Sequence, residues 1–79
     1  MKVIFTIESS QLKGYEKDLK PHIKYKQGDY YYELDVDCIP NKGDMVFCDF
    51  LEICTVMSVY YDYRKESSKR VHEVNLTHY

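Results

Sequence analysis

The chain has 79 residues, 44% apolar and 30% charged, with a formal net charge of −2, nine tyrosines and no alanine. The length allows one domain, residues 1–79, with a folded surface of roughly 5,000 Å² and about 63% of the extended chain's surface buried. The apolar fraction excludes intrinsic disorder, and the longest uncharged apolar stretch, residues 53–61, is far too short for a membrane-spanning helix.

The run Met1-Lys2-Val3-Ile4-Phe5 leads directly into Thr6 and Glu8, without the long apolar region of a signal peptide. Three cysteines, an odd number, fit a reducing compartment better than a disulfide scaffold, so a cytoplasmic location is expected. The absence of alanine removes the best helix former, while abundant tyrosine, valine and isoleucine favour strands.

Residues 1–8 alternate. Met1, Val3, Phe5 and Ile7 share one face, opposite Lys2, Thr6 and Glu8, which predicts a strand with one buried side. Residues 9–28 read either as a short helix or as a lysine-rich loop. Ser9 or Ser10 is placed to cap a helix whose stripe is Leu12, Tyr15, Glu16 and Leu19; Gly14 weakens it and Pro21 ends it. Residues 30–39 are the clearest strand, with Tyr30, Tyr32, Leu34, Val36 and Cys38 on one side and Tyr31, Glu33, Asp35 and Asp37 on the other.

Pro40-Asn41-Lys42-Gly43 is a turn. Residues 44–51 follow with apolar side chains of both parities, the pattern of a strand that is central or covered on both faces. Glu52 marks a tight turn into residues 53–63, a long strand with Ile53, Met57, Val59, Tyr61 and Tyr63 on one face. Residues 64–69 are polar and read as an exposed hairpin loop. Residues 70–79 form a last strand with Val74 and Leu76 inward and a bulge near Val71. The expectation is all-β, with at most one short helix: a small five-stranded barrel or strongly bent antiparallel sheet, closed by a three-stranded meander.

Ile39-Pro40-Asn41-Lys42-Gly43-Asp44-Met45-Val46, then Val56-x-x-Val59-Tyr60, then Val71-x-x-Val74-x-Leu76, resembles small bacterial and phage-type β-barrel proteins. In these, a Pro-x-x-Gly-Asp-x-Val turn opens a strand and a meander closes the chain. The resemblance covers residues 39–76. It implies a fold and no catalytic residue.

Motifs for chemistry are sparse. Cys38-x9-Cys48-x5-Cys54 lacks the close pairs of a zinc ribbon, so no metal or other cofactor is expected, and the cysteines read as small apolar residues on strand faces. No serine lies in a Gly-x-Ser-x-Gly elbow, and neither HExxH nor a Gly-rich phosphate loop is present, so the chain reads as non-enzymatic.

Charge is segregated. Residues 11–28 carry a net +3 and residues 29–52 a net −6. Tyrosine is enriched in interfaces because it offers large amphipathic area at low entropic cost. The functional expectation is therefore a protein-interaction domain using Tyr31, Glu33, Asp35 and Asp37, with Tyr60 if its strand lies alongside, and with a homodimer as one form of such contact. The alternative is a nucleic-acid-binding barrel using Lys13, Lys17, Lys20, Lys24, Tyr25 and Lys26, against which the negative net charge argues.

Overall fold

The computed structural model describes residues 1–64 and 71–78. Six strands form one sheet: β1 (Lys2–Glu8), β2 (Lys24–Lys26), β3 (Asp29–Asp35), β4 (Met45–Phe47), β5 (Ile53–Tyr60) and β6 (His72–His78). Their order across the sheet is β2-β3-β1-β6-β5-β4. The fold is all-β. The sheet is open, however, with β2 and β4 as its two edges, so the expected five-stranded barrel does not close. Each edge strand has only three residues, which leaves little ladder with which to seal a barrel. The sheet is also not purely antiparallel, because β1 and β6 run parallel. The β4-β5-β6 meander is present as expected.

The segment 9–28 supplies the sixth strand. It contains no α-helix. Two short 3-10 turns, Ser9–Leu12 and Glu16–Asp18, flank Gly14, which adopts φ +93° and breaks any continuous helix. Gln27 and Gly28 both have positive φ, the geometry of a two-residue hairpin loop, and they fold β2 back onto β3 with Lys26 opposite Asp29.

One face of the sheet is buried. Val3, Phe5 and Ile7 of β1 lie beside Val74 and Leu76 of β6, with Cys54 and Val56 of β5 and Tyr32 of β3 completing the layer. The connections cover it: Leu12 and Phe50 are buried in the same cluster, and Leu19, Ile23, Val36, Ile39, Cys48 and Leu51 pack against it. The opposite face is open to solvent.

Several expected placements change. β3 ends at Asp35, so Asp37 and Cys38 lie in a bend beyond it, and both are exposed. Leu34 is on the inward parity but 48% exposed, because the cover closes over Tyr32 and stops short of it. β4 is neither central nor doubly covered; it is an edge, with Met45 and Phe47 exposed. In β5 a bulge lies between Val56 and Ser58, so Cys54 and Val56 point inward before it and Val59 after it, while Met57 is exposed. This bulge lies opposite Asn75 and Leu76 and is distinct from the one expected near Val71. The hairpin loop expected at 64–69 falls, apart from Arg64, outside the described residues. Among the described residues, no helix is long and apolar enough to cross a membrane.

The cover is part of the core, and this has a measurable consequence. Leu12, fully buried in a 3-10 turn, should cost about 2–5 kcal/mol when changed to Ala. The same change at Leu34 should cost within about 0.5 kcal/mol. Urea midpoints at constant slope would show the difference; equal midpoints would mean that residues 9–23 do not pack on the sheet.

Candidate functional site

A convergence of polar side chains lies at the surface of the cover, where the segments around His22 and residues 48–54 meet Tyr32 of β3. The Asp49 carboxylate accepts from Lys20 Nζ at 3.2 Å and contacts His22 Nε2 at 2.8 Å. The Asp49 backbone N–H donates to Tyr32 Oη at 3.2 Å. The Tyr32 ring meets His22 and Phe50 edge-on and stacks on Phe5. Burial opposes the Asp49 charge, but the hydrogen bonds and positive charge of Lys20 and His22 outweigh it and hold the carboxyl below its usual range. Tyr32 is shifted the other way. Burial raises its hydroxyl to about 12, against a weaker lowering by its Asp49 hydrogen bond.

Two thiols adjoin this cluster. Cys48, just past the end of β4, and Cys54 in β5 flank the connection between those strands. Their Sγ atoms share a hydrogen bond of 3.0 Å, and the Cys48 thiol also lies 3.1 Å from the Leu51 carbonyl oxygen as donor. The hydrogen bond from Cys54 is the main cause lowering Cys48 to about 6; burial opposes it, and backbone hydrogen bonds at Leu51 and Phe50 assist. Cys54 is pushed up by the same hydrogen bond and by burial. Cys48 is therefore the member of the pair that ionises first. Cys38 is exposed and apart from them.

The expected interaction residues lie on the open face. Tyr31 and Glu33 of β3 stand opposite Thr6 and Ile4 of β1, and Asp35 opposite Lys2. Lys2 and Glu33 form an exposed ion pair at 3.8 Å. Tyr60 shares this face, opposite Glu73, but β1 and β6 separate its strand from β3. Tyr60 lies level with Glu33, so three strand spacings and a two-residue offset put Tyr31 and Tyr60 about 16 Å apart. Asp37 does not join them. Between the two tyrosines a polar ladder crosses three strands: Thr6 Oγ1 donates to Asn75 Oδ1, and Asn75 Nδ2 donates to Ser58 Oγ at 2.9 Å.

Tyr60 has aromatic neighbours in the chain beyond β5. Tyr61 and Tyr63 stack at 5.7 Å between centroids, with His72 edge-on to Tyr61. At the outer edge, Phe47 is 79% and Met45 54% exposed.

The alternative lysine set is dispersed. Lys20 is committed to Asp49, and Lys13 and Lys17 lie in and between the 3-10 turns. Lys24 and Lys26 have opposite parity to Tyr25, whose ring packs on Tyr30 at 5.2 Å. The stacking ring and the basic groups of β2 thus face different sides. Among the described residues, no group of three or more His, Cys, Asp or Glu is arranged to hold a metal ion.

Sequence reasoning missed the His22–Asp49–Tyr32 contacts and the exposed Phe47. The thiol pair had a signal: a turn at Glu52 places Cys48 and Cys54 on opposite arms of one hairpin. No family model matches the chain, and neither the curated proteins nor the solved structures contain a significant match.

The raised Tyr32 hydroxyl predicts an alkaline transition. Its ordinary value is 10.0 and its folded value about 12, so its stabilising contribution is complete below pH 10 and is lost as the pH rises toward 12, where the unfolded chain ionises first. Tyr32→Phe should remove that slope. It should also cost about 1 kcal/mol at neutral pH, because the Asp49 N–H loses its acceptor. Urea midpoints across this pH range, compared between the two chains, are the check; identical alkaline slopes would contradict the assignment.

Proposed function

We propose that this chain is a small non-enzymatic protein-interaction domain that takes an extended segment of another protein along the free edge of β4. The exposure of Phe47, 79% accessible in an edge strand, carries this reading. Alternate residues of an edge strand turn their N–H and C=O groups outward, where an incoming strand can bond to them. Strand addition draws affinity from those main-chain groups and specificity from alternate side chains. Natural edges are commonly blunted with lysine or proline. β2 follows that habit with Lys24 and Lys26, while β4 has neither and presents Met45 and Phe47 instead.

Charge narrows the partner. Residues 44–52 contain Asp44, Asp49 and Glu52 and no basic residue. Asp49 is paired with Lys20, leaving Asp44 and Glu52 at the two ends of the edge. A second copy paired here would set acid against acid. A segment apolar in the middle and basic at its ends is complementary. Tyr31, Glu33 and Asp35 lie on β3, four strands across the sheet from this edge, and Tyr60 lies on the adjoining β5.

The test is affinity capture from the native host with the wild-type chain and with Phe47→Lys, read by mass spectrometry and followed by titration of the captured partner. Removing a central anchor should cost about 2 kcal/mol, roughly 30-fold in affinity, with an unchanged circular dichroism spectrum. Equal binding by both chains would overturn the reading. Loss on Tyr31→Ala instead would move the interface to the open face.

A further inference from the structure

We propose that Cys48 and Cys54 form a reversible disulfide, making this hairpin a site of oxidation by hydroperoxides. Their sulfurs are 3.0 Å apart, so closure to a bond of about 2.05 Å needs a movement of about 1 Å. The two residues flank one short connection: Cys54 stands opposite Val46 in the ladder and Cys48 follows Phe47 at the end of β4, so the sulfurs meet from diagonal positions. Cys48 is partly accessible and Cys54 fully buried. That asymmetry assigns the roles, since the oxidant can reach only the first. The greater acidity of Cys48 agrees with it, because the thiolate is the nucleophile.

The chemistry balances in two steps. The Cys48 thiolate attacks the peroxide: an S–O bond forms, the O–O bond breaks, and the leaving oxygen takes up a proton as water or alcohol. Cys48 is then a sulfenic acid. The Cys54 thiol gives up its proton and its sulfur attacks the Cys48 sulfur. The S–S bond forms, the S–O bond breaks, and water leaves. Overall, two thiols lose two electrons and the hydroperoxide gains two. A cellular dithiol restores the pair by exchange. Cys38, exposed and without a neighbouring sulfur among the described residues, has no such second step.

The experiment uses the full reduced chain and one equivalent of hydrogen peroxide. The intact mass should fall by about 2 Da, the signature of a disulfide, and titratable thiols should drop from the three free cysteines to Cys38 alone. Cleavage at Lys42 and Arg64 leaves both sulfurs in one peptide, residues 43–64, which should contain the whole mass loss and recover it with dithiothreitol. In Cys48→Ser, Cys54 should stay reduced under the same treatment, since it is buried. That variant changes the partly accessible member of the pair and leaves the buried one in place. Stable gains of about 16 Da or more at Cys48 without the disulfide, a bridge that includes Cys38, or three thiols surviving excess peroxide would each overturn the proposal.

Discussion

The parallel pairing of β1 with β6 holds this sheet together. β2, β3 and β1 form one antiparallel unit from residues 24–35 and 2–8. β4, β5 and β6 form another from residues 45–78. Within the sheet, the two units are paired along the β1–β6 seam, where Val3 to Ile7 run beside His72 to Leu76. Each unit has only the minimum of three strands, one of them three residues long. Joined, they place Val3, Phe5, Ile7, Val74 and Leu76 side by side in the centre of the buried layer. The seam is fastened on the open face by the Thr6–Asn75 hydrogen bond, and at one end by Gln11 Oε1, which accepts from Thr77 Oγ1 and the His78 N–H. Closing so long a loop costs only slightly more than closing a shorter one, because the entropy grows with the logarithm of length.

The rest of the molecule follows from that seam. With β1 and β6 in the middle, β2 and β4 become edges, and one has lysines while the other has Phe47. The connections that return the chain across the buried face must supply their own apolar groups, Leu12 and Phe50. They also bring His22, Asp49 and Tyr32 together. The Asp49 carboxylate ties the two covering segments to each other through Lys20 and His22, and its N–H ties them to the sheet through Tyr32. Cys48 and Cys54 meet where the second covering segment rejoins the sheet.

Much of the sheet was legible in the sequence, because parity survives wherever one face is buried. Val3, Phe5 and Ile7 turned inward as their alternation requires, and Tyr32 parted from Tyr31 and Glu33 for the same reason. Parity failed in β5, where one extra residue at the bulge shifts Met57 out of phase and makes Cys54 and Val56 the inward pair. It misled in β4, since apolar residues on both faces describe a doubly covered strand and an uncovered edge equally well. The β2–β3 hairpin was hidden because glutamine is an uncommon residue at positive φ, so Gln27-Gly28 does not announce a turn. The β1–β6 seam leaves no local trace at all; it joins segments almost seventy residues apart, and nothing within either strand names the other. The contacts of His22 with Asp49 were invisible for that reason too. Of the residues expected at a surface site, Tyr31, Glu33, Asp35 and Tyr60 share the open face, and Asp37 leaves it because β3 stops two residues earlier.

Amide hydrogen exchange tests the seam most directly. If β1 and β6 are the centre on which both units depend, the amides of Phe5, Ile7, Val74 and Leu76 will exchange slowest and together, with the free energy of global unfolding, and those of β2 and β4 will exchange by local opening several kcal/mol below it. Exchange from β1 as fast as from β2, or protection in β3 and β5 that outlasts β1 and β6, would contradict a sheet built around that pairing.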